Sequence, residues 1–349
     1  MHIHELDTPV AVVDIDKMEG NIHRLQNYLD QHGVANRPHI KTHKIPEMAH
    51  MQLAAGASGI TVQKLGEAEV MAQAGIRDIF LPYNILGAAK LERLMQLTRR
   101  VQISVTADSE VTVRGLSEAA RREGTTLPVL VEFDSGIGRC GTQTPQQTAD
   151  LARIIARSPG LHFGGLMTYP NNTQVDAFIQ ETVALLDAAG LSVEKISGGG
   201  SPCMWEVHQH PQITEHRAGT YIYGDRAMVK SGAMTFEQCA FTIIATVVSR
   251  PTANRGILDS GSKTLSSDLQ GLDGYGFIVE YPQANIQRLN EEHATVDFSG
   301  CASKPAIGER VTIIPNHCCV ANNLFNQIIG VRGETVEVVW PVAARGLLQ

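Results

Sequence analysis

The chain has 349 residues, 43% of them hydrophobic and 19% charged, with a formal net charge of −7. That composition describes a globular chain with a large core, long enough for two domains or for one barrel with an appendage. The negative charge disfavours nucleic acid and anionic membrane as partners, and no apolar run reaches the roughly 20 residues that span a bilayer. The first seven residues show no basic stretch followed by an apolar segment, so no signal peptide is expected. Six cysteines, at 140, 203, 239, 301, 318 and 319, are sparse and irregularly spaced. Reduced thiols, with a metal ligand among them, fit that pattern better than a disulfide framework, which predicts a cytoplasmic protein.

From residue 8 to about 235, short apolar runs alternate with helical patterns. The runs cover residues 10–15, 38–40, 59–63, 78–83, 102–107, 128–133, 162–167 and 193–196. Between them, apolar residues recur at i, i+3, i+4 spacing in segments such as 16–32, 65–74, 110–122 and 144–157. Eight strand–helix units predict parallel strands joined by crossover helices, and their total length is that of a (β/α)8 TIM-type barrel. A doubly wound open sheet is the runner-up, because pattern alone does not prove closure. After residue 235 the texture changes to β-rich runs separated by Gly and Pro turns, with no clear helix. We therefore expect a barrel over 8–235 and an antiparallel β-domain over 236–349, to which residues 1–7 return.

Barrel strand ends converge on one mouth, and here they carry His39 and Lys41, Gln63, Tyr83, Asn84, Asp108, Asp134, Tyr169 and then Ser197-Gly198-Gly199-Gly200-Ser201. The stretch Arg37-Pro38-His39-Ile40-Lys41-Thr42-His43-Lys44 concentrates cations at the end of a buried strand. Such a cluster is costly unless an anionic or electrophilic group sits there. A lysine in that setting can form a Schiff base, and either Lys41 or Lys44 qualifies. The glycine run after the eighth strand, with a second turn at Ala218-Gly219-Thr220-Tyr221, suits a phosphate, although a plain tight turn reads the same. Phosphate plus a Schiff-base lysine points to pyridoxal 5'-phosphate (PLP). In Asp134-Ser135-Gly136-Ile137-Gly138-Arg139-Cys140-Gly141, the glycines put Arg139 on a flexible turn, as a ligand for an oxyanion or as an ordinary surface arginine. In Pro315-Asn316-His317-Cys318-Cys319, alternation along a strand would point His317 and Cys319 at one ion. Two ligands are too few for structural zinc but suit an open site, and a buried cysteine pair beside an unrelated histidine is the plain alternative.

Taken together, these motifs resemble the D-threonine aldolase and D-serine dehydratase family of fold-type III, alanine-racemase-like PLP enzymes. The resemblance covers nearly the whole chain and includes Asp7-Thr8-Pro9, Gln63-Lys64 with Glu67-Ala68, and Leu258-Asp259-Ser260-Gly261. It implies that Lys41 holds PLP and that Gly199, Gly200 and the Gly219–Tyr221 turn cradle the phosphate. It also implies that Arg139 and Gln63 face the ring hydroxyl, that Tyr169 lies near the pyridine nitrogen, and that His317 and Cys319 bind a divalent metal. Members pair this histidine with an aspartate in the aldolases and with a cysteine in the zinc-using dehydratases. Cys319 thus leans the chain toward dehydration of a D-3-hydroxy amino acid, and its softness favours zinc over manganese or magnesium. Retro-aldol cleavage to glycine and an aldehyde is the alternative; a racemase or a non-catalytic PLP-binding protein is more remote. The chain departs from the aldolase pattern at Pro170-Asn171-Asn172, which leaves the substrate open. The fold analogy implies a homodimer.

Overall fold

The computed structural model describes residues 1–349. The chain divides into two compact units, one of Met1–Arg24, Thr42–Glu47 and Thr220–Gly346, the other of Leu25–Lys41, Met48–Gly219 and Leu347–Gln349. No helix is long and apolar enough to cross a membrane.

The second unit holds an eight-stranded sheet in which every neighbouring pair is parallel. Its strands are Ala35–Asn36, Ile60–Thr61, Asp78–Leu81, Gln102–Ala107, Leu127–Glu132, Leu161–Met167, Ile196–Gly199 and Glu215–Arg217. Ala35–Asn36 pairs with Glu215–Arg217, and a parallel bridge from His39 to Thr61 joins the two ends of the sheet. The (β/α)8 reading therefore holds, but its membership changes: the run 38–40, read as a barrel strand, gives way to Ala35–Asn36 and keeps only the His39 bridge before the 3-10 turn Ile40–Thr42. The run 10–15, read as the first barrel strand, forms Val10–Asp14 of the other sheet, because an apolar run carries no address for the sheet it will join. The missing member is Glu215–Arg217, buried at all three positions although every side chain is polar.

Helices follow the strands, and their ends are set locally. Glu110–Glu123 begins at Ser109, which accepts from the Thr112 N–H, and stops at Gly124 in the left-handed region. Its inward face is Val113, Leu116, Ala119 and Ala120. Pro145–Arg157 starts with Thr144 as cap and proline in its first turn.

The buried Arg37, Glu215 and Arg217 form a connected chain of charges with the part-exposed Asp78 and Lys195. Arg37 donates from Nε to Glu215 at 2.6 Å and from Nη1 to Asp78 at 2.7 Å. Glu215 also takes the Ser197 hydroxyl at 2.7 Å and faces Lys195 Nζ at 3.1 Å. Arg217 donates to Ser197 Oγ at 2.6 Å and to the Thr168 carbonyl at 2.9 Å, with its guanidinium over the Phe80 ring. Glu215 and Arg217 are thus satisfied rather than exposed, which is how a short charged strand can lie in a core. The Arg37 charge accordingly has its reason in Glu215 and Asp78, correcting the expectation that the whole 37–44 cluster answers to a ligand. Burial would raise the Glu215 carboxyl, but Arg37 and Lys195 outweigh it and hold it below the usual range. Glu215→Gln leaves Arg37 with Asp78 alone and removes the partner of Lys195, and should cost up to about 3–5 kcal/mol in urea unfolding at pH 7. Because the folded pKa is depressed, the stabilisation is present above the ordinary glutamate pKa and lost as pH falls through the folded value. The gap between wild type and variant should therefore narrow below about pH 4.

The first unit is built on a nine-stranded, mostly antiparallel sheet. Phe241–Ser249 lies antiparallel to Val10–Asp14, Arg255–Leu258 and Arg310–Pro315. One pairing, Val10–Asp14 with Gln327–Arg332, is parallel. Leu6, Val12, Ile244, Ile329 and Val331 pack as one apolar cluster. Asp259 accepts from the Thr8 hydroxyl at 2.6 Å and from the Thr246 N–H at 2.8 Å, so two separated sequence motifs, 7–9 and 258–261, meet at one carboxylate. Gly261 permits the turn there, since a Cβ would stand 2.3 Å from the Asn290 carbonyl. Two short helices, Ser262–Leu265 and Cys318–Asn322, interrupt a region expected to lack helix.

Candidate active site

Lys41 sits half-buried in a 3-10 turn, Ile40–Thr42, directly after the bridge that joins the barrel ends. His39 fixes this turn. Its Nδ1 accepts from the Lys41 N–H at 3.4 Å, which leaves the ring proton on Nε2 to donate to Gln63 Oε1 at 2.9 Å. Burial first, and the Lys41 charge next, hold His39 well below its ordinary pKa, so the ring is neutral as that pattern requires. Gln63 is positioned in turn by Glu67, which accepts from the Gln63 and Lys64 N–H groups and caps Leu65–Gln73.

The Tyr169 ring lies 6.0 Å from Lys41 Nζ and 5.0 Å from the Arg139 guanidinium carbon. Arg139 is half exposed, with Nη2 at 3.9 Å from Glu132. Burial raises the Glu132 carboxyl to about 7 against the pull of Arg139 and Arg217. The 134–141 turn is not simply flexible. Asp134 accepts from the N–H groups of Gly136, Ile137 and Gly138, and the Gly141 N–H reaches Asp108 at 3.2 Å.

At the glycine run, Gly199 donates to Asn171 Oδ1 at 2.9 Å, Gly200 to the Arg217 carbonyl at 3.0 Å and Gly219 to Ser201 Oγ at 3.1 Å. These three N–H groups therefore already have partners in the fold. The Pro170-Asn171-Asn172 segment braces the mouth: Asn171 bonds Gly199 in both directions, and Asn172 donates to the Ser135 carbonyl at 2.6 Å. Asn171 Nδ2 is buried without a partner beside the glycines.

In the other unit, His317 and Cys319 lie together, but not by strand alternation. His317 is the residue capping Cys318–Asn322, and Cys319 lies in that helix's first turn. Asp225, fully buried, backs the pair: its Oδ2 stands 3.0 Å from His317 Nδ1 and accepts from the Cys318 N–H at 3.0 Å, while Oδ1 accepts from the Met228 N–H. Sequence reasoning missed Asp225; its signal was an acidic residue after Tyr-Gly, at the start of the short helix Arg226–Lys230. The Cys319 thiol is held well below its ordinary value, first by the Cys318 contact and, against burial, by His317. Burial would lower His317, but Cys319 and Asp225 outweigh it and raise the ring to about 11. Cys319 Sγ also meets the hydroxyls of Thr42 at 3.2 Å and Thr220 at 3.6 Å. Thr42 follows Lys41 in the chain, and Thr220 follows Gly219. Tyr221 is fully buried in the 3-10 turn Thr220–Ile222.

Residues 13–227 match the family model of the alanine racemase N-terminal domain, and residues 240–331 match a serine dehydratase domain. D-Threonine aldolase of Arthrobacter sp is 34% identical over 98% of this chain and 93% of its own length. The chain belongs to the D-threonine aldolase and D-serine dehydratase family. The crystal structure of D-threonine aldolase from Filomicrobium marinum superposes with a TM-score of 0.92 at 30% identity, covering 99% of this chain and 97% of the other. A cysteine-to-alanine mutant of D-threo-3-hydroxyaspartate dehydratase in the metal-free form gives 0.89 at 28% identity, with 98% of each chain covered. The relatives are aldolases and dehydratases, that is, lyases, and family membership makes this chain one.

Proposed function

We propose that this chain is a PLP- and divalent-metal-dependent lyase for D-3-hydroxy amino acids, and that it eliminates water to give a 2-oxo acid and ammonia. The observation that carries this reading is the Cys319 sulfur, paired with His317, in contact with the hydroxyls of Thr42 and Thr220, the residues that follow Lys41 and Gly219. The donors suit the two groups. Lys41 supplies an amine, Asn171 Nδ2 is a buried donor awaiting an acceptor beside the glycines, and an imidazole and a thiolate form a donor pair of the softness zinc prefers. A relative described in a metal-free form supports the metal assignment.

When bound, PLP supplies an electron sink for a carbanion at Cα, and the divalent ion a Lewis acid for the β-oxygen. Lys41 Nζ would carry the cofactor and, once displaced by the substrate amine, take up the Cα proton. His317 Nε2 and Cys319 Sγ would hold the ion, with Asp225 fixing the proton on Nδ1 and hence the ring's orientation. Arg139 and Gln63 would face the ring hydroxyl, and Tyr169 the pyridine nitrogen. Gly199, Gly200, Gly219 and Tyr221 would border the phosphate, the glycines by close backbone approach, since their N–H groups are already used. With the Cα proton taken up by Lys41, the β-hydroxyl would leave as water, and Lys41 Nζ, returning to its place, would release the product, which takes up one water to give the 2-oxo acid and ammonia.

Cleavage to glycine and an aldehyde is the second reading, favoured by the 34% identity to an aldolase. Product analysis separates them. Incubation with D-serine, D-threonine and D-threo-3-hydroxyaspartate should yield 2-oxo acid and ammonia in equal amounts. Glycine plus aldehyde would instead assign the aldolase reaction.

A further inference from the structure

We propose that His2, His4 and Glu334 form a second divalent-metal site, of the zinc, nickel or copper class, that ties the first residues of the chain to a β-hairpin. Ligand atoms of the three side chains lie within 4.8 Å of one another. His2 Nε2 stands 3.1 Å from Glu334 Oε2, and His4 Nε2 3.7 Å from Glu334 Oε1. The two imidazoles stack with ring centres 4.7 Å apart.

Backbone bonds create this convergence independently of the side chains. The hairpin is formed by Gln327–Arg332 and Thr335–Pro341, with Glu334 in its turn. His2 makes an antiparallel bridge to Thr335, the Ile3 N–H donates to the Glu334 carbonyl at 2.8 Å, and the Val336 N–H donates to the Met1 carbonyl at 3.0 Å. Arg310 donates to the carbonyls of Ile3 and Leu6 and holds the segment from its other side. The ligands are thus preorganised by main chain, and binding orders little that is not already fixed.

Two imidazoles and one carboxylate select borderline transition ions over magnesium or calcium, which want oxygen donors. Three protein ligands leave a fourth position for water. Binding at His2 Nε2 puts the ring proton on Nδ1, which gives up the bond it accepts from the His4 N–H. That bond is 3.3 Å long and weak. His2 and His4 lie at the other end of the chain from the His317 and Cys319 pair, and Glu334 stands in a hairpin turn apart from the helix Cys318–Asn322, so the two sites can be removed separately.

The test is a Zn²⁺ titration of the chelator-stripped chain, read by calorimetry and by competition with a chromophoric chelator. His4→Ala/Glu334→Gln should bind one equivalent fewer than wild type and keep its lyase activity. In a Cys319→Ala background the same double substitution should remove one further equivalent. Glu334→Gln alone, an exposed isosteric change that spares folding, should weaken the same equivalent. Equal stoichiometry and affinity in wild type and His4→Ala/Glu334→Gln would overturn the site. Because each comparison is a difference against its own background, failure of the His317 and Cys319 pair to bind metal would leave this result readable.

Discussion

Lys41→Ala should lose lyase activity by roughly 10³-fold or more, the scale of removing a group that moves a proton in the rate-limiting step. It should also lose covalent cofactor: borohydride treatment of wild type followed by peptide mass analysis should place the pyridoxyl adduct on Lys41, and the variant should show none. The choice between the two lysines of the 37–44 stretch follows from their surroundings. Lys41 is half-buried, its turn is fixed by a neutral His39, and its amine lies 6.0 Å from the Tyr169 ring. Lys44 is 5% exposed, with its backbone in the left-handed region at φ 60°. Lys44→Arg should therefore keep both adduct and activity. An adduct on Lys44 in the Lys41→Ala protein would sink the assignment.

Asp225→Asn is the second large effect. The Asp225 carboxylate accepts from Met228, Cys318 and His317 at once. Asparagine keeps one acceptor oxygen, enough for the helix cap, but turns an NH2 toward groups that also donate. The imidazole then loses the partner that fixes its proton. Loss of such a backing carboxylate costs about 10–100-fold in metal affinity. Buried donors left without an acceptor add about 1–3 kcal/mol of instability. Activity at low metal should fall accordingly and recover at saturating Zn²⁺. That recovery separates a positioning role from a structural one, since a misfolded variant is not rescued by metal. Unchanged metal affinity would reduce Asp225 to a helix cap.

Much of the barrel was legible because its middle strands are β-branched runs between well-capped helices; residues 102–107 coincide with the observed Gln102–Ala107. What escaped was decided by partners distant in sequence. The run beginning at Val10 is equally apolar in either sheet, and only its pairing with Phe241–Ser249 and Gln327–Arg332 assigns it. Glu215–Arg217 carries no apolar run to mark it as a strand, and Arg37, Lys195 and Ser197, which satisfy its charges, are distant in sequence. The His317 and Cys319 pair was visible as a pair, though strand alternation was the wrong reason. A capped helical turn brings them together, and Asp225, which makes the pair more than a chance neighbourhood, lies 92 residues away.

The central claim, a metal-assisted lyase for D-3-hydroxy amino acids, meets its most direct test in one assay. Turnover of D-serine and D-threo-3-hydroxyaspartate is followed by 2-oxo acid and ammonia release, before chelation, after chelation and after Zn²⁺ is restored. The account predicts equal yields of the two products, loss on chelation, recovery with the ion, and no turnover of the L-enantiomers. Turnover untouched by the chelator, or conversion of D- to L-amino acid without release of ammonia or aldehyde, would contradict it.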